Sequence, residues 1–98
     1  MIIYVDIDET ICYYKKERDY KLAIPYKERI LKLNKLYEEG HEIYYWTARG
    51  TVSGINYLML TKEQLDRWGC KYCGLKLGKP NYDLFIDDKN INSNTYFA

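Results

Sequence analysis

The sequence predicts an α/β domain built on a mostly parallel sheet and occupying residues 1–98 as one unit. Three observations predict it. Short apolar stretches alternate with stretches of helical periodicity, the pattern of βαβ units joined by right-handed crossovers. The first apolar stretch, Ile2 to Val5, is almost entirely β-branched or aromatic, which suits a strand covered on both faces. The apolar stretches also end in polar residues, at the strand ends where open α/β sheets place their ligands.

The first strand runs into Asp6 and Asp8, two like charges at the end of a buried segment. They require a partner, because an unpaired buried charge costs several kcal/mol. From Pro25, a residue suited to a first helical turn, Tyr26, Ile30, Leu33 and Tyr37 recur at helical spacing until Gly40 supplies a stop. The stretch "EIYYWT" is short, aromatic and β-prone, and reads as a second strand ending in a Thr-Ala-Arg-Gly turn. Tyr57, Leu58, Leu65 and Trp68 predict a second helix stopped by Gly69. "KYCGLKL" then reads as a third strand, "GKPNYD" as a loop, and "LFID" as a fourth strand ending in Asp87 and Asp88.

Composition narrows the function classes. A chain of 98 residues supports one core and no second domain. A net charge of +1 gives no basic face for nucleic acid or an anionic membrane, and the mixed run "YYKKERDYK" reads as a solvated loop. No stretch approaches a membrane span and the amino terminus has no leader pattern, which points to the cytoplasm. Cys12, Cys70 and Cys73 are an odd number, against a disulfide framework. Cys70 and Cys73 have the C-x-x-C spacing, but one pair supplies half of a structural zinc set, so buried reduced thiols are expected. Twelve tyrosines suggest ligand or subunit contacts in addition to core.

An isolated D-x-D is weak, because acidic pairs are common in turns. The ordered set is stronger: "YVDIDET", "YYWTAR", "LGKPNYD" and "LFIDDKN" each follow or end an apolar strand with a group that phosphoryl transfer uses. In this order the chain resembles the haloacid dehalogenase superfamily, over essentially its whole length. It is most similar to small bacterial capless phosphatases associated with capsule and sugar-phosphate metabolism, where W-T-A-R and K-P-x-x-D elements are familiar. The resemblance implies a three-layer Rossmann-like core with a mostly parallel central sheet and no cap domain. Neither usual insertion point has room for a cap.

The resemblance also implies roles. Asp6 becomes the nucleophile that forms an aspartyl phosphate. Asp8 protonates the leaving alkoxide and later deprotonates water, help worth about 10²–10⁴-fold. Mg²⁺ offsets the charge, held by the Asp6 and Asp87 side chains and the Asp8 carbonyl, with Asp88 behind them or an occasional ligand. Thr47 and the following N–H, that of Ala48, bind the phosphate, and Lys79 pairs with Asp6 and phosphate as a point charge. Lys76 is the rival lysine, disfavoured because it lies within a strand. Arg49 is either a substrate contact or one half of a surface salt bridge. Tyr13 and Tyr14 either gate the site or pack.

The expected function is therefore Mg²⁺-dependent hydrolysis of a phosphate monoester, on a sugar phosphate or related small metabolite. Two other classes stand beside it: a phosphatase for a nucleic-acid end, disfavoured by charge, and a non-catalytic phosphoacceptor module. Receiver domains place their acidic pair before the phosphorylated Asp, whereas the pair is last in this chain. An open site with many aromatics also predicts a homo-oligomer.

Overall fold

The computed structural model describes residues 1–98. Three parallel strands form the sheet: β1 (Ile2–Val5), β4 (Glu42–Trp46) in the centre and β5 (Gly74–Lys76), in the order β1-β4-β5. Ile3 pairs with Ile43 and Tyr45 with Leu75, which sets the same residues of each strand toward one face. A small antiparallel pair, β2 (Cys12–Tyr13) and β3 (Ile24–Pro25), lies between β1 and the first helix. A 3-10 turn at Tyr20–Leu22 precedes β3 and is capped by the Asp19 carboxylate on the Lys21 N–H.

Helix α1 (Lys27–Glu38) starts two residues after Pro25, and Gly40 ends it in the left-handed region at φ 99°, a conformation glycine adopts without a Cβ penalty. Ile30 and Leu33 enter the core one turn apart. Helix α2 (Leu58–Arg67) buries Leu65 beside two polar residues, Thr61 and Gln64. A last short helix, α3 (Ser93–Tyr96), is capped by the side-chain oxygen Oδ1 of Asn92, which accepts from the Asn94 N–H. Arg29 of α1 ties it down, donating to Asn94 Oδ1 at 3.0 Å and lying over the Phe97 ring.

Val5, Ile43 and Tyr45 point into one core with Ile30, Leu33 and Leu65, and Ile3, Leu36, Trp68 and Leu75 pack against it. Both long helices therefore cover the same face of the sheet. The other face carries Ile2, Tyr4, Tyr44 and Trp46 and has no helix over it, so the expected third layer is not formed. No helix is long and apolar enough to cross a membrane.

The expected fourth strand is also not formed. Residues 81–92 are exposed and irregular, with Leu84, Phe85 and Ile86 open to solvent and no backbone pairing to the free edge of β1. The physical reason is the short connection. Lys79 is held at the carboxyl end of the sheet, its N–H on the Thr47 carbonyl at 3.1 Å. A parallel fourth strand would have to start at the opposite end, and only residues 80–83 are free to make that descent. Parallel crossovers ordinarily take a dozen residues or more.

Candidate functional site

Each strand of the sheet delivers one polar group at its carboxyl end. Asp6 follows β1, Thr47 follows β4 and Lys79 lies three residues beyond β5. They open into one cleft of about 740 Å³, also lined by Asp8, Ala48 and Arg49. That volume suits a small-molecule ligand.

Lys79 Nζ stands 3.5 Å from Asp6 Oδ1. Burial pushes the Asp6 carboxyl above the ordinary aspartate range, and the nearby Asp8 charge adds to this; Lys79 and the Ile7 N–H oppose it without cancelling it. Lys76 points elsewhere, to the Tyr4 hydroxyl at 2.7 Å. Thr47 is buried, and its Oγ1 accepts from the Arg49 N–H at 3.1 Å, which leaves the hydroxyl proton free to donate. The Ala48 N–H has no partner within the protein. Two donors and one ammonium thus converge near a carboxylate, a set suited to an anion of phosphate geometry.

The turn after β1 fixes Asp8. The Thr10 and Ile11 N–H groups both donate to the Ile7 carbonyl, and Glu9 takes the left-handed region at φ 61° while donating to the Cys12 carbonyl. This fold-back turns the Asp8 carboxylate onto Arg49. Nε donates to Oδ2 at 3.0 Å and one terminal nitrogen donates to Oδ1 at 2.9 Å, a bidentate pair. The Tyr14 hydroxyl and the Cys12 thiol also donate to Oδ1. Burial works to raise the Asp8 carboxyl, but the hydrogen bonds and charge of Arg49, with Tyr14 and Cys12, outweigh it and hold the group below the ordinary range. Burial first, and then the Asp8 charge, push the Cys12 thiol up to about 12 and raise the Tyr14 phenol, so both stay protonated donors.

Arg49 is the least expected residue of the site. It is only 2% exposed, so its salt bridge to Asp8 is a buried one at the wall of the cleft rather than a surface pair. Its remaining nitrogen donates to Thr61 Oγ1 and Gln64 Oε1 of α2, and its guanidinium lies over the Tyr20 ring at 4.7 Å. The sequence held a signal for this: Thr61 and Gln64 are polar residues on the inward stripe of an otherwise ordinary amphipathic helix. Gly50 completes the turn at φ 83°. A Cβ there would stand 2.1 Å from the Ile55 carbonyl oxygen.

Tyr14 reaches the site, whereas Tyr13 stacks on Tyr26 away from it. Tyr20, Tyr57 and Tyr82 line the cleft and were not singled out by sequence. Cys70 is half-buried, and Cys73 is exposed where burial was expected, because it precedes β5 at the open edge of the sheet.

The expected magnesium ligands are not assembled. Asp87 and Asp88 lie in the exposed segment, outside the residues that line the cleft, because the strand that would carry them there is not formed. Of the expected set this leaves the Asp6 carboxylate and the Asp8 backbone carbonyl, and no three His, Cys, Asp or Glu residues stand close enough to hold a metal ion. The residues as arranged do not fit magnesium. Lys79 is the cation that offsets Asp6.

No family model and no curated protein matches the chain. Among solved structures it is similar to the crystal structure of an MCSG target from Vibrio cholerae, with a TM-score of 0.87 and 25% identity over 99% of this chain and 87% of that one. The two share a fold. The likeness to haloacid dehalogenase phosphatases rests on the motifs.

Proposed function

We propose that the cleft hydrolyses small phosphate monoesters, sugar phosphates or related metabolites, through a phosphorylated Asp6. The observation that carries this reading is the convergence of Asp6, Lys79, the Thr47 hydroxyl and the unpaired Ala48 N–H at the ends of three adjacent strands. The phosphate sits against the Thr47 and Ala48 donors and the Lys79 ammonium. An Asp6 oxygen attacks phosphorus as the bond to the leaving oxygen breaks. Water then attacks the phosphoryl group, giving its proton to Asp8 and releasing phosphate and Asp6.

The resting state of Asp8 shapes this scheme. As a carboxylate it is ready to take a proton from water. To give one to a leaving alkoxide it must first be protonated, which Arg49 opposes. An aryl phosphate, whose leaving group departs without a proton, is therefore turned over faster than an alkyl phosphate.

The same clamp favours a second reading, a phosphoacceptor in which Asp6 is phosphorylated and hydrolysis is slow. One experiment separates the two. The protein is mixed with para-nitrophenyl phosphate and with a panel of sugar phosphates, in magnesium and in excess chelator, with acid quench at short times. Turnover with a transient acid-stable phosphoprotein supports the phosphatase. Stoichiometric phosphoprotein without turnover supports the acceptor, and no phosphate release or labelling in either condition overturns both. Activity confined to magnesium means that Asp87 and Asp88 join Asp6 in the working protein, whereas activity in chelator leaves the charge offset to Lys79.

A further inference from the structure

A parallel sheet is ordinarily covered on both faces. Here one face is bare, and its residues form a flat aromatic plate. Register fixes the layout: Ile2 lies beside Glu42, Tyr4 beside Tyr44, Tyr44 beside Gly74, and Trp46 beside Lys76. Tyr4 stacks on Tyr44 at 5.4 Å and meets Trp46 edge-on at 6.1 Å. Ile2 is 65% and Tyr4 49% exposed, a contiguous apolar area rather than a scattered residue.

The charges on this plate number two, and their placement is informative. Glu42 stands two residues before Tyr44, and Lys76 stands two residues after Gly74, the partner of Tyr44. Their backbone positions lie at equal distances on opposite sides of the Tyr44–Gly74 row, and within one copy the Lys76 ammonium folds back over the Tyr4 and Tyr44 rings. A two-fold axis parallel to the sheet, above the midpoint of that row and inclined to it, exchanges these two backbone positions, setting Glu42 of each copy against Lys76 of the other. Such an axis also crosses the two sets of strands at an acute angle, the aligned arrangement in which sheets pack face to face. At the centre the Tyr44 ring leans over Gly74 and fills the place of its missing side chain, where a Cβ would stand 3.0 Å from the ring.

From this layout we infer that a second copy of this chain covers the aromatic face, in an isologous dimer with Glu42 and Lys76 paired across it. The face suits no polyanion, because its one lysine is matched by one glutamate and backbone-phosphate binding needs an excess of positive charge. Self-complementarity is what a two-fold interface requires. The interface ends at Trp46, whose ring lies 5.8 Å from the Lys79 ammonium, so the second copy would border the cleft. The inference goes beyond the proposed reaction and does not depend on it.

The test is the mass of the full chain in solution, followed by light scattering and sedimentation equilibrium across the micromolar range. The expected mass is twice 11.8 kDa. Glu42→Lys or Lys76→Glu alone places like charges together at both symmetric contacts and should weaken association by about 10–100-fold. The double exchange, Glu42→Lys with Lys76→Glu, should restore it. All four residues involved in the two hydrogen bonds lost, Tyr44 to Glu42 and Lys76 to Tyr4, are at the surface, and far-UV circular dichroism confirms that each variant stays folded. A mass of 11.8 kDa throughout overturns the inference, as does a dimer indifferent to either single exchange or not restored by the double one. Monomer that shifts only on adding a single-stranded oligonucleotide also overturns it, in favour of a stacking platform.

Discussion

Replacing Asp8 by Asn should cost the fold more than any other isosteric change in the cleft. The substitution keeps the shape and removes the charge that Arg49 was buried to meet. Breaking one partner of a buried pair costs about 3–5 kcal/mol, because the other charge stays uncompensated. Arg49 retains Thr61 and Gln64 as neutral acceptors, which places the loss near the low end, about 3 kcal/mol. With a urea m-value of about 1–2 kcal/mol/M for a small domain, the midpoint falls by about 1.5–3 M. The pH dependence has a definite sign. The Asp8 carboxyl is held below its ordinary value when folded, so its contribution is present above the unfolded value and lost as pH falls through the folded one. The parent and Asp8→Asn should therefore differ fully at neutral pH and converge below about pH 4. Equilibrium urea unfolding at several pH values measures this. A loss under about 1 kcal/mol at pH 7, or a gap that persists unchanged into acid, would refute the claim that Arg49 and Asp8 are a working ion pair.

Asp6→Asn should move in the opposite direction. Its carboxyl is raised by burial in the folded state, so ionisation at neutral pH opposes folding, and the neutral amide should leave the midpoint equal or higher while phosphoprotein formation is abolished; a fall in midpoint would contradict this. Gly50→Ala should destabilise by about 1–3 kcal/mol, since φ 83° is strained for alanine and the Cβ collides with the Ile55 carbonyl. Thermal melts alone check it, and an unchanged melting temperature would mean that the turn around Arg49 gives way freely.

Much of the sheet and several polar groups of the cleft were legible in the sequence, and what was missed has physical causes. β1, β4, β5, α1 and α2 follow from periodicity and stop signals that depend on neighbouring residues. The same holds for Asp6, Thr47 and Lys79, whose positions are set by where strands end. "LFID" has the composition of a strand, but pairing depends on whether four residues can cross the sheet, and composition does not record that. Arg49 misled for a related reason. A single arginine beyond a strand says nothing of its counter-ion, which lies 41 residues away in Asp8, or of the acceptors on α2. The bare face was hidden because an aromatic strand reads alike whether helix, solvent or another protein covers it.

The Thr-Ala-Arg turn links the two halves of the site. Its first residue presents a hydroxyl to the cleft, its second an unpaired N–H, and its third clamps Asp8. The Arg49 N–H on Thr47 Oγ1 makes this one rigid piece: it occupies an acceptor lone pair of the hydroxyl and so directs the hydroxyl proton outward. A phosphate drawn to Thr47 and Ala48 therefore pulls on the same backbone that sets the Arg49 guanidinium against Asp8. In the proposed reaction, anion binding at one end and the protonation of Asp8 at the other are linked through these three residues. On the proposed reading, the Thr-Ala-Arg turn is where binding of the substrate anion and the proton chemistry of Asp8 meet.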